Sequence, residues 1–153
     1  MKKKIAFTCA AVLAGVTLLP SAARAEALGR ATVTLSGQSS IKGDEISITG
    51  QTNLPDGAWL IFAVYSVAHP QTRWTDYMRI RDGHFSAQVG IKDWPSGDIE
   101  TDIHFEAMLP DREQPAIVLQ KYGAKGERMK GDVVVQEGES YRAAVISLHS
   151  IKP

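Results

Sequence analysis

The chain has 153 residues, 17 basic and 17 acidic side chains, 44% hydrophobic residues and one cysteine. That is one domain with enough chain for a buried core, and its ordinary composition excludes collagen-like, disordered and disulfide-stapled classes. The zero net charge averages two unlike segments: Lys2, Lys3, Lys4 and Arg24 sit in the first 25 residues, which hold no acid, leaving 13 basic against 17 acidic side chains and a net of −4 for the rest. A net-acidic domain argues against nucleic acid or an anionic membrane as partner, because both are recognised by clustered Lys and Arg.

The first segment reads as an export signal. Lys2-Lys3-Lys4 is followed by uncharged residues 5–19 and then by Ala23-Arg24-Ala25, small residues at −3 and −1 of a cleavage site. The apolar run falls short of the roughly 20 residues that span a bilayer. Cys9 lies too early in it for a lipoprotein signal. The expected mature protein is therefore periplasmic or secreted, 26–153, with no membrane span. Cleavage also removes the only cysteine, and with it any thiol chemistry or disulfide.

Beyond residue 30 nearly every apolar run has strand character. Val33 and Leu35 alternate with Thr32 and Thr34, and Ile46 and Ile48 with Glu45, Ser47 and Thr49. Residues 58–67 are apolar on both faces, the mark of an interior strand. Trp74, Met78 and Ile80 are expected to face the core, opposite Thr75, Tyr77, Arg79 and Arg81. Asp82-Gly83 is a two-residue hairpin signal, returning into Phe85, Ala87, Val89 and Ile91. Ile103, Phe105, Ala107 and Leu109 then face inward, with Asp102, His104, Glu106 and Met108 on the other face. Val133-Val134-Val135 and Tyr141 to His149 close the chain as two strands. Asn53-Leu54-Pro55-Asp56-Gly57 and Trp94-Pro95-Ser96-Gly97 are turns. About eight strands with no βαβ alternation predict an all-β antiparallel sandwich. Residues 111–130 interrupt the pattern. Asp111 is a candidate cap for a short helix entered through Pro115 and stopped by Gly123, while Ile117-Val118-Leu119 fits an edge strand almost equally well.

Thr52-Asn53-Leu54-Pro55-Asp56-Gly57, with Met108-Leu109-Pro110, Gln114-Pro115, Tyr122-Gly123, Gly126-Glu127 and Gly131, resembles uncharacterised bacterial exported proteins that carry an immunoglobulin-like domain. The resemblance implies an immunoglobulin-like β-sandwich outside the cytoplasm. It transfers no catalytic residue.

Three constellations carry possible chemistry. Asp102, His104 and Glu106 share a strand face at spacings of roughly 6.5–7 Å. Carboxylate and imidazole donors of this kind suit zinc or divalent copper, with His84 as a further ligand if its strand is adjacent. A solvated strand face explains the same residues. Lys121, Lys125, Arg128 and Lys130 lie in the long 111–130 connection among glycines, fit to receive an anionic partner or simply to stay soluble. Tyr77 with Arg79 and Arg81 has the aromatic–arginine composition favoured at protein interfaces. Trp59 and Trp94 are expected to be packed. No nucleophile elbow, phosphate-binding glycine loop or opposed carboxylate pair is present, which ranks a hydrolase third. The expectation is a non-catalytic binding or accessory protein, without cofactor, whose partner is another extracytoplasmic protein; a periplasmic metal-binding protein is the alternative.

Overall fold

A computed structural model describes residues 29–153. The expected signal segment and its cleavage after Ala25 lie outside these residues. Among the described residues ten strands and one helix follow in order: β1 (Ala31–Thr32), β2 (Leu35–Lys42), β3 (Glu45–Thr52), β4 (Trp59–Ser66), β5 (Arg73–Arg79), β6 (His84–Gly90), β7 (Gly97–Glu106), α1 (Ala116–Tyr122), β8 (Met129–Lys130), β9 (Val134–Glu137) and β10 (Tyr141–Lys152). Eight of the strands have four or more residues, the number expected. They form an antiparallel five-stranded sheet, β5-β4-β7-β10-β9, and an antiparallel three-stranded sheet, β2-β3-β6. β1 and β8 make a short parallel ribbon.

Alternation along the strands builds the core. Leu60, Phe62 and Val64 of β4, Ile99, Ile103 and Phe105 of β7, and Ala144 of β10 are buried in one cluster with Ile46, Ile48, Phe85 and Val89 of the small sheet. On one flank the sheets close: Ser39 and Ser150 hydroxyls meet at 2.6 Å across β2 and β10. On the other flank they fork at the β5–β6 hairpin, whose turn residues Asp82 and Gly83 have φ of 51° and 72°. This is the left-handed pair that the Asp-Gly signal predicts. Asn53 accepts the Thr34 N–H (2.9 Å) and donates to the Thr32 carbonyl (3.0 Å), so the turn before β4 also fastens the first strands.

Several expectations are corrected. Trp74 is 51% exposed, because β5 overhangs the narrower sheet and only Met78 and Ile80 on that face reach cover. β2 runs through Ser36-Gly37-Gln38-Ser39-Ser40, a polar stretch without strand periodicity. Residues 116–122 form the helix, with Pro115 at its N-cap and Gly123 at its C-cap, but Asp111 does not cap it. No helix among the described residues is long and apolar enough to cross a membrane.

Candidate functional site: an aromatic–arginine patch

On β4 the half-buried Trp59, Ile61 and Tyr65 alternate with buried core residues and so mark the outer face of the five-stranded sheet. Register extends this face in rungs: Arg79 beside Trp59, then Tyr77–Ile61–His104–Val145, then Thr75–Ala63–Asp102–Ser147. Tyr77 and Arg79 thus share one surface with Asp102, His104 and Glu106.

The connection after β7 folds back over this face. The β4–β7 ladder ends at Ile61–His104, leaving the Trp59 backbone without a strand partner on that side. Gln114 supplies it: its Oε1 accepts the Trp59 N–H (2.9 Å), and its Nε2 donates to the carbonyls of Trp59 (3.0 Å) and Glu106 (2.7 Å). Burial of Gln114 to 8% exposure is tolerable because its amide is satisfied in this way.

Two residues earlier, Arg112 is laid between two rings. Its guanidinium carbon is 3.8 Å from the Tyr77 ring centroid and 4.6 Å from that of Trp59, and Arg79 lies 5.0 Å from the Trp59 ring. Arg79 Nε also donates to the Gly57 carbonyl (3.2 Å). Both guanidiniums are therefore held in place by cation–π contact while neither meets a carboxylate. The one ion pair among the described residues is His149–Asp98 at 3.2 Å. Arg112 Nε is buried with no hydrogen-bond acceptor. Asp111, one of the two acids that flank Arg112 in sequence, accepts instead from the Tyr77 hydroxyl at 3.5 Å. Two guanidiniums are thus oriented on aromatic rings with no carboxylate at ion-pair distance, and a planar guanidinium fork is the geometric match of a carboxylate.

The other candidates are differently disposed. Asp102 accepts hydrogen bonds from Tyr65 (3.1 Å) and Ser147 (2.6 Å), and Glu106 from Tyr141 (3.1 Å). The two phenols are pushed up to about 12, first by burial and then by these carboxylates. His84 lies on β6 of the opposite sheet, so its strand is not adjacent to β7, and among the described residues no three His, Cys, Asp or Glu side chains gather in a metal-binding group. In the 111–130 connection the basic residues are dispersed. Arg128 donates to the carbonyls of Leu119 (3.0 Å), Lys121 (3.3 Å) and Gln120, closing the C-terminal end of α1. Lys121 lies over the Tyr122 ring at 5.1 Å, Lys125 reaches the Ser140 hydroxyl at 3.4 Å, and Lys130 is exposed on β8. Arg81 stands at the hairpin, bridged through its backbone to His84.

Sequence reasoning singled out Tyr77 and Arg79 as candidates but not Arg112, and it named Gln114 only within the Gln114-Pro115 element. Nothing in the local pattern of Asp111-Arg112-Glu113-Gln114 gives either residue this role; the signal is where β7 leaves β4. No family model matches the chain, and no curated protein matches it.

Proposed function

We propose that this chain is an exported, non-catalytic binding protein of immunoglobulin-like type, which uses Trp59, Tyr77, Arg79 and Arg112 to take a carboxylate-bearing segment of another extracytoplasmic protein. The lysine-rich start, the short apolar run and the Ala-x-Ala site support export. The observation that carries the binding role is the Arg112 guanidinium stacked between Trp59 and Tyr77 without an acidic partner. Such stacking removes rotamer freedom before binding, so less is lost when the carboxylate arrives. Arginine and aromatic side chains are also the residues that dominate binding energy at interfaces.

The reading is tested in cells producing the full chain, with a photo-crosslinking amino acid at Thr75, on the patch face, or at Ser40, on the outer face of the other sheet. Adducts with a periplasmic protein at Thr75 but not Ser40, lost on Arg112→Gln, are the expected result. Equal adducts at both positions, or adducts indifferent to Arg112→Gln, would count against it.

A further inference from the structure

The forked flank of the sandwich carries a second site, which borders the patch at Tyr77 and Arg79 but includes neither Trp59 nor Arg112. β6 is an edge strand, paired only with β3. The bridge between Arg81 and His84 uses the His84 N–H and C=O on the side away from β3, while Ile91 N–H bonds Asp44 on the β3 side. Alternation then turns the N–H and C=O groups of Ser86 and Gln88 to the open edge. Among the described residues no backbone group meets them there.

Edge strands are ordinarily protected by charge, proline, brevity or cover. β5 has Arg73, Asp76 and Arg79, and the Asp76 carboxylate takes the Tyr77 N–H at 2.8 Å. β9 has four residues, and β2 is closed against β10. β6, His84-Phe85-Ser86-Ala87-Gln88-Val89-Gly90, has no lysine, arginine, acid or proline in seven residues. Beside it runs an open groove of about 1030 Å³, whose lining includes Phe62, Met78, Phe85 and Ala87 and, at its charged margin, Asp76 and Arg81. The overhang of β5, with Trp74 exposed, leaves the three-stranded sheet one strand short of the five-stranded sheet on this flank.

We infer that β6 accepts one added antiparallel strand from another polypeptide, an extended segment with apolar side chains at alternate positions and a carboxylate at the end that meets Arg81. Backbone hydrogen bonds to Ser86 and Gln88 supply sequence-independent affinity, and alternate side chains entering the groove toward Phe85 and Met78 set the register. Arg81 makes no ion pair among the described residues, so an acidic terminus there gains a partner without displacing one. A second copy of this chain would bring two overhanging β5 strands to the same place, which favours a single free segment.

The test uses the synthetic peptide acetyl-Ser-Val-Thr-Val-Thr-Val-Glu with a free C-terminus, titrated into residues 26–153 and followed by amide NMR and hydrogen exchange. Binding should slow exchange of the Ser86 and Gln88 amides and leave that of the Ala87 amide, already paired with β3, little changed. Arg81→Ser should weaken it by up to about fivefold, the size of an exposed ion pair, and a peptide N-methylated at its threonines, whose N–H groups lie opposite Ser86 and Gln88, should not bind. Arg112→Gln should have no effect, which separates this site from the patch. Absence of saturable binding, protection elsewhere, or protection of Ser86 and Gln88 without peptide at concentrations where the protein dimerises would overturn the inference.

Discussion

The carboxamide of Gln114 hydrogen-bonds both backbone groups of Trp59, at 2.9 and 3.0 Å, as a neighbouring strand residue would. This contact ties the connection after β7 to the start of β4 and so sets Arg112 over the Trp59 ring. Gln114→Ala leaves a backbone N–H and two carbonyls without their partner, at a cost of about 1–3 kcal/mol for unsatisfied buried groups. Urea unfolding should show that loss, and the Arg112 side chain should gain mobility in NMR relaxation. An unchanged unfolding midpoint would mean that water replaces the amide without penalty.

Phe62 is 3% exposed on β4 and packs in the main cluster. Phe62→Ala should destabilise by about 3–5 kcal/mol, the range for truncating a buried aromatic. A thermal melt equal to the parent's would contradict the interior position of β4.

Gly50 is a packing position. A Cβ there would overlap the Phe85 ring and the Ser36 carbonyl. Gly50→Ala should cost about 1–3 kcal/mol through overpacking. Adding Phe85→Leu should give a double variant more stable than the sum of the two single losses predicts, since the residues share one space. Strict additivity of the three denaturation free energies would refute the clash.

Much of the sandwich was legible because its code is local. The Ile103-Phe105-Ala107-Leu109 alternation and the Asp82-Gly83 turn are satisfied by neighbours in sequence, and both are as expected. β2 was not legible: Ser36 to Ser40 has neither apolar period nor β-branched residues, and it is a strand because the hairpin through Gly43 aligns it on β3. Trp74 misled because its alternation is right while the opposite layer ends before reaching it. In the patch, Tyr77 and Arg79 lie two apart on one strand and could be paired by counting. Arg112 joins them across 35 and 33 positions through a fold-back that depends on where the β4–β7 ladder stops.

Alkaline pH offers a separate check on the sheet face. Tyr65 and Tyr141 have folded pKa values of about 12, above the ordinary 10, from burial and then from Asp102 and Glu106 respectively. Between these values the native state holds more protons than the unfolded state, so stability is intact below about pH 10 and declines as pH rises toward 12. Phenolate absorbance should show two tyrosines titrating late, and Tyr65→Phe plus Tyr141→Phe should flatten the decline. A decline equally steep in the double variant would place its cause elsewhere.

The proposed carboxylate site is tested most directly by titrating acetyl-tetraglutamate into residues 26–153 while following the arginine Nε–H resonances. The account predicts saturable shifts at Arg112 and Arg79, abolished by Arg112→Gln, unaffected by Lys121→Ser, and weakened as salt is raised because the charges are partly exposed. Shifts confined to other arginines, or identical binding by Arg112→Gln, would contradict it.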